Sequence, residues 1–318
     1  MTKDCLLLGL GQIGMGYDLF LDKRYIFTHS RAITSHPDFN LVAAIDPSAE
    51  LRDQFTKSYN IPAYESVKGS LVQSSPSIVI IATPSQTHGK VIDELLEHIT
   101  PEIILCEKPL DYDFETAKHI IKRCKEKKIK LYVNYMRRSE PGALMVKEKI
   151  SSLVIQPPIK GFVWYTKGLM NSGSHFLNIL ELWLGDVKDV NTLSRGELWN
   201  ELDQDYDFIV KFDLGEVIFS SGREASNTYN SIELMSPAGR LFYENGGETI
   251  SWHPIISDPL LENYKKISDQ PEIIDNKMEQ YQYNVYQEIS NAIKGKDHNL
   301  SHAEDALRTL QHIYKIGD

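Results

Sequence analysis

Lys108 stands in the run Leu105-Cys106-Glu107-Lys108-Pro109, directly after an apolar stretch. A cation on a proline-stiffened turn at a strand end can stabilise charge developing on a hydroxyl or carbonyl oxygen. His175 closes the run Asn171-Ser172-Gly173-Ser174-His175, ahead of a helical pattern. Imidazole has an unperturbed pKa near ~6.5, so it can give or take a proton around neutrality. Near the N-terminus, Gly9-Leu10-Gly11-Gln12-Ile13-Gly14 follows the apolar run Cys5-Leu6-Leu7-Leu8. In that setting one glycine allows a tight turn, the next lets backbone approach a pyrophosphate, and the third admits close packing. Gln12 and Ile13 complete this cofactor turn. Asp46 ends a second apolar run, where a carboxylate can accept from adenosine ribose hydroxyls. Asp46-Pro47-Ser48 offers no arginine for a 2′-phosphate, which favours NAD over NADP. Asp46 lies 32 positions after Gly14, where about 20 is usual. Residues 16–27 therefore read as an insertion before a helix at 28–35.

These groups need elements to hold them. Residues 5–8, 41–45, 78–82, 103–106 and 131–133 are short apolar runs. Continuous rather than alternating runs suit a parallel sheet covered on both faces. Val91, Ile92, Leu95, Leu96 and Ile99 mark one intervening helix. Residues 113–128 form another, acidic at the start and basic at the end as the helix dipole favours, with Ala117, Ile120, Ile121 and Cys124 as its stripe. After Tyr135 the character changes. Strand patterns at 162–165, 207–210, 217–219 and 231–234 are separated in places by Gly215 and Pro237-Ala238-Gly239, which predicts antiparallel pairing. Helices are expected at 174–184, ended by Gly185, and near 277–293 and 303–316. The expected fold class is α/β. A Rossmann doubly wound parallel sheet at 1–135 is followed at 136–318 by an α+β substrate-binding and oligomerisation domain with a large, mainly antiparallel sheet.

The chain of 318 residues has room for two such domains. A net charge of −10 argues against nucleic acid or an anionic membrane as partner. The three cysteines, Cys5, Cys106 and Cys124, have no metal-like spacing and suit a reducing compartment. Neither a signal-peptide pattern nor an apolar run near ~18 residues is present, so a cytoplasmic location is expected. His29, His36, His253, His298 and His302 show no ligand spacing, and no metal is expected.

Three further segments complete an ordered set: Ile80-Ile81-Ala82-Thr83-Pro84-Ser85-Gln86-Thr87-His88, Glu107-Lys108-Pro109 and the run ending at His175. With the glycine turn and the late Asp305-Ala306-Leu307-Arg308-Thr309-Leu310, this set resembles the glucose–fructose oxidoreductase / inositol dehydrogenase (Gfo/Idh/MocA) family of nicotinamide-dependent sugar oxidoreductases. The resemblance covers most of the chain. It implies that Lys108 contacts the reacting substrate oxygen, that His175 is the general acid/base, and that Thr83, Pro84, His88 and Glu107 flank the cofactor. It also implies that the Lys108–Pro109 bond is cis, and that the C-terminal sheet pairs subunits into a homodimer or homotetramer.

The chain departs from the family at two positions. Many relatives carry aspartate four residues before the histidine, where this chain has Asn171, and often one helical turn after it, where this chain has Asn178. Asparagine can orient an imidazole or a substrate hydroxyl but supplies no charge to raise the histidine's pKa. The expectation is that His175 titrates lower than in such relatives and that the proton route leans more on Lys108. Arg137 and Arg138, next to Tyr135, and Lys167 could hold a phosphate or carboxylate. An anionic sugar, such as a nucleotide-linked one, is the expected substrate, because this set resembles a subgroup met in surface-polysaccharide sugar pathways. Two alternatives stay open: an NAD-dependent glycoside hydrolase of the same family, and a non-catalytic NAD-binding sensor.

Overall fold

A computed structural model describes residues 2–70, 76–222 and 227–317. The N-terminal part alternates strands and helices in the order β1 (Lys3–Leu8), α1 (His29–Ser35), β2 (Phe39–Ile45), α2 (Ala49–Tyr59), β3 (Ala63–Tyr64), α3 (Val67–Ser70), β4 (Ile78–Ile81), α4 (His88–His98), β5 (Ile103–Cys106), α5 (Phe114–Glu126) and β6 (Lys130–Val133). The strands lie side by side as β6-β5-β4-β1-β2-β3, all parallel. Every residue of β4 and β5 is buried, as helices on both faces require. The register aligns Leu8 with Ile45 and Ile81, Ile81 with Cys106, and Cys106 with Val133. Five strands therefore end on one line. Capping sets the helix starts: Asp113 accepts from Glu115 and Thr116 N–H ahead of α5, and Thr28 accepts from Arg31 N–H ahead of α1.

The next elements are α6 (Pro141–Ser151), β7 (Ile159–Tyr165), α7 (Ser174–Leu184), β8 (Val187–Asn200), β9 (Asp203–Phe212), β10 (Gly215–Ser221), β11 (Ser231–Ser236), β12 (Gly239–Glu244), β13 (Thr249–Ser257), β14 (Lys265–Ile267) and β15 (Glu272–Ile273). They build a nine-stranded sheet in the order β14-β13-β12-β11-β7-β10-β9-β8, with β15 beside β13. It is antiparallel except where β10 runs parallel to β7. Alternation buries one face, including Val163, Phe208, Phe219, Leu234 and Leu241. Phe208 and Phe219 stack with ring centroids 4.5 Å apart. Gly185, at φ +86°, stops α7.

The chain closes with α8 (Tyr281–Ile293), β16 (Ser301–His302) and α9 (Ala303–Gly317). The molecule divides into two compact units: Met1–Ser139 with Glu279–Leu307, and Glu140–Met278 with Arg308–Asp318. Residues 279–307, expected with the C-terminal domain, thus fold with the parallel sheet. The cause is hydrophobic. Val285, Tyr286, Ile289 and Ala292 of α8 complete a core containing Ala32 and Ile33 of α1 and Leu7 and Ala44 of the sheet. β16 then pairs antiparallel with β6, Ser301 opposite Val133.

Candidate active site

The carboxyl edge of the parallel sheet gathers Gly9, Asp46, Thr83, Glu107 and Lys108, each just beyond a strand end. Gly9 has φ +98°, and a Cβ there would stand 2.4 Å from the Ala82 carbonyl oxygen. A Cβ on Gly14 would stand 2.1 Å from the Gly9 carbonyl oxygen. These two glycines are therefore required by the protein's own packing. Gly11 differs: it is exposed, and a Cβ there meets nothing within 4 Å. The open space beside its backbone leaves room for an extended diphosphate, so the residues present fit a dinucleotide. Gln12 and Ile13 begin the wide turn Gln12–Gly16. Asp46 accepts from Leu10 N–H and Ser48 N–H, both at 2.8 Å, which ties the end of β2 to the glycine turn. Two bonds leave a carboxylate further acceptor capacity. An arginine does stand nearby: Arg52 Nη1 donates to the carbonyls of Asp46 and Pro47 at 2.8 Å.

The inserted residues 16–27 are locally tied. Buried Asp18 accepts from Phe27 N–H at 2.6 Å, Thr28 N–H at 2.9 Å and the Thr28 hydroxyl at 2.7 Å. Arg31 reaches back to the carbonyls of Asp18, Leu21, Asp22 and Tyr25. Phe20, 88% exposed, tips the loop.

Lys108 is half-buried and joined to Pro109 by a cis bond. His88 is fully buried. Its Nε2 lies 2.9 Å from the Thr83 carbonyl, and its Nδ1 lies 3.1 Å and 3.2 Å from those of Pro109 and Leu110. It therefore ties two loops of this edge together, while Thr83 and Pro84 lie nearer the surface. Burial pushes the Glu107 carboxyl up, but the His29 hydrogen bond and charge, Asn134 and Lys108 outweigh it and hold Glu107 below the usual range. Tyr135 and Arg137 are largely buried at the end of β6. Arg138 donates to the Asn299 carbonyl at 3.2 Å and pairs with Asp305 at 3.6 Å.

In the other unit, Lys167, Asn171 and His175 lie around the turn Leu169–Gly173, which opens into α7. Buried acids fix this turn. Asp203 accepts from Met170 and Asn171 N–H at 2.8 Å, and Asp205 from Gly168 N–H at 3.1 Å. The Asn230 side-chain oxygen accepts from Thr166 N–H and the Ser172 hydroxyl. Asn171 donates its amide to the Lys167 carbonyl at 3.0 Å. Lys167, at φ +66°, donates to the Thr228 hydroxyl at 2.6 Å. His175 sits half-buried in the first turn of α7. Asn178 departs from its expected place beside substrate. It is fully buried and donates to Thr309, whose hydroxyl donates to Glu181. An amide so enclosed has no path to a sugar hydroxyl.

Several contributors escape inspection of the sequence. Asp203 and Asp205 belong to no motif in the sequence, although their i, i+2 spacing along a strand places them on one face. Arg52 is six residues from Asp46, and only the start of α2 turns it back onto the Asp46 and Pro47 carbonyls. The three cysteines are buried, and burial raises each thiol, Cys124 to about 12, as core packing implies.

Residues 6–135 match the family model described as "Oxidoreductase family, NAD-binding Rossmann fold", GFO_IDH_MocA. Over these residues the chain is similar to the Gfo/Idh/MocA oxidoreductase family. That description is of an NAD-binding fold, which agrees with the space beside Gly11. The scyllo-inositol 2-dehydrogenase (NAD(+)) of Bacillus subtilis (strain 168) is 31% identical over 163 residues, covering 50% of this chain and 43% of the relative. The chain thus aligns with less than half the length of that curated relative. A UDP-N-acetylglucosamine 3-dehydrogenase from Acidithiobacillus ferrooxidans superposes with TM-score 0.78 at 14% identity, covering 99% of this chain and 96% of that one. The WlbA dehydrogenase from Bordetella pertussis, in complex with NADH and UDP-GlcNAcA, superposes with TM-score 0.74 at 18% identity, covering 99% and 95%. At such identities these two likenesses establish the fold of the whole chain and nothing finer.

Proposed function

We propose that the protein is an NAD-dependent dehydrogenase that transfers hydride to or from a secondary hydroxyl of a sugar or cyclitol. The observation that carries this reading is the alignment of Gly9, Asp46 and Lys108 along one carboxyl edge of the parallel sheet, where ligands of such sheets bind. The bound nicotinamide supplies the hydride acceptor or donor. The chain's residues bind, orient and move one proton. The Lys108 ammonium stabilises negative charge on the reacting oxygen, and His175 takes the hydroxyl proton in oxidation and returns it in reduction. Asn171 supplies no charge to the imidazole. Its amide on the Lys167 carbonyl fixes the turn from which His175 projects.

The names of the similar proteins support two substrate classes, inositols and nucleotide-linked sugars. Arg137 and Lys167 are the cations we assign to an anionic substrate, with Tyr135 at the same strand end. Arg138 contributes less because Asp305 already offsets its charge. The test is a panel of inositols, free sugars and nucleotide sugars incubated with NAD and read by NADH absorbance. Turnover of at least one panel member supports the reading, and preference for nucleotide sugars over neutral ones supports the anion assignment. Lys108→Ala is expected to lower kcat/KM by about 10²- to 10⁴-fold while leaving NADH affinity nearly intact. Unchanged turnover in that variant would remove Lys108 from the chemistry.

A further inference from the structure

His29 is fully buried at the start of α1, directly after the inserted loop. Its Nε2 lies 2.9 Å from Glu107 Oε1, and its Nδ1 lies 2.9 Å from the Tyr286 hydroxyl. The Gln282 amide nitrogen reaches the imidazole at 2.9 Å. Asn134, just past β6, donates to Glu107 Oε1 at 2.6 Å and to the Gln282 oxygen at 3.2 Å. Two side chains, one from α1 and one from the end of β6, therefore converge on one oxygen of one carboxylate, and α8 contacts the imidazole of the first. Both bonds from His29 and Asn134 fall on Oε1. The Glu107 side chain keeps 13% exposure, and a carboxylate can accept up to about four bonds.

Topology says what lies on that exposed side. Asp46 follows β2, the glycine turn follows β1, and Glu107 follows β5, with β4 between the last two. Parallel strands are spaced about 4.8 Å apart, so Glu107 stands roughly 10 Å along the edge from the glycine turn, on the side away from Asp46. A dinucleotide laid along this edge would bring its nicotinamide riboside toward Glu107. The hydroxyl and carboxamide groups at that end are hydrogen-bond donors and suit an anionic acceptor. Apolar side chains of equal volume would fill the space of the polar cluster without its desolvation penalty. The cluster is therefore informative where it stands, one residue from Lys108.

We propose that His29 is a positioning residue for the nicotinamide end of the cofactor: it holds Glu107 as a fixed acceptor beside Lys108. The proposal rests on the NAD-dependent reading above. It adds a function for the α1–α8 junction, because Gln282 and Tyr286 brace His29 from α8.

The test compares two ligands. NADH reaches Glu107, whereas ADP ends at the pyrophosphate. Affinities of both are measured by fluorescence titration and competition for the wild-type chain, His29→Leu, Glu107→Gln and the double variant. Because the lost bond is to a charged group, His29→Leu is expected to weaken NADH about tenfold and to leave ADP within about twofold. Coupled residues give non-additive losses, so the double variant should fall within about twofold of Glu107→Gln alone. His29→Gln retains an N–H donor and should recover most of the NADH affinity, which also covers the case in which His29→Leu folds poorly. Equal weakening of ADP and NADH, unaltered NADH affinity in a folded His29→Leu, additive losses, or failure of His29→Gln to recover affinity would each overturn the proposal. A wild-type protein that binds NADH but oxidises no sugar or cyclitol removes the substrate reading and leaves this binding comparison intact.

Discussion

At the scale of single residues, the three glycines of the first turn are not equivalent. Gly14→Ala is expected to destabilise the fold itself, because the new methyl would collide with the Gly9 carbonyl, a backbone atom with little freedom to retreat. Gly11→Ala meets no protein atom and should melt like the wild type, yet lose NADH affinity tenfold or more on the order-of-magnitude scale of a displaced charge-assisted contact. Paired thermal melts and NADH titrations distinguish the two, and equal behaviour would contradict the cradle at Gly11. Glu107 carries a pH prediction. Its folded pKa is held below its unfolded value near ~4.3, so it contributes stability that is present above that value and lost as pH falls through the folded one. Glu107→Gln should therefore show a shallower loss of stability in urea melts between pH 6 and pH 3, relative to its own value at pH 6. A parallel curve would place the acid sensitivity elsewhere. The glycine turn, Asp46 and Lys108 were legible because each follows an apolar run that marks a strand end. His29 was not legible, since its partners come from residues 107, 134, 282 and 286 and only the tertiary fold brings them near.

At the scale of elements, the strands of the parallel sheet and the stripe of α5 were readable because burial on both faces, or on one helical face, leaves a periodic imprint. The membership of α8 was not. An amphipathic pattern tells which side of a helix is buried but not against what, and α8 lies far along the chain from the sheet it completes. Ile289, fully buried within that core, provides the test. Ile289→Ala is expected to destabilise the protein by about 2–5 kcal/mol in denaturant titrations, the range for a large core side chain cut to alanine. A loss near zero would detach α8 from the core. β8 escaped notice for the opposite reason: most of its residues are exposed, so it has no continuous apolar run to announce it. α6 is legible only at its start, where Pro141 and the Glu140 side chain accepting from Ala143 N–H are ordinary helix-start chemistry.

At the scale of the molecule, one face of the nine-stranded sheet is dressed unevenly. Ile218 pairs with both Phe162 and Ile209, and Trp164 stands two residues from Phe162, with ring centroids 4.9 Å apart. Trp164, Ile218 and Met235 are all partly exposed there. Apolar surface of this kind on a flat sheet commonly covers another protein surface. The expectation of a homodimer or homotetramer is tested by light scattering, with Ile218→Glu shifting the mass toward the monomer while the circular dichroism of the fold is kept. A monomeric wild-type protein would end that expectation. The common ending line of β1, β2, β4, β5 and β6 has a different kind of consequence. Side chains alternate along a strand, so one residue added within any of these strands would turn its later side chains to the opposite face. Residues added beyond the line leave every strand in phase, and lengthening a loop adds only a slowly growing closure entropy. The twelve positions 16–27, which the long Gly14–Asp46 spacing marks as extra length, lie in that tolerant zone. That edge behaves as a socket for length variation, and segments exchanged there, after Gly16 or after Pro84, should alter what the protein recognises without disturbing how it folds.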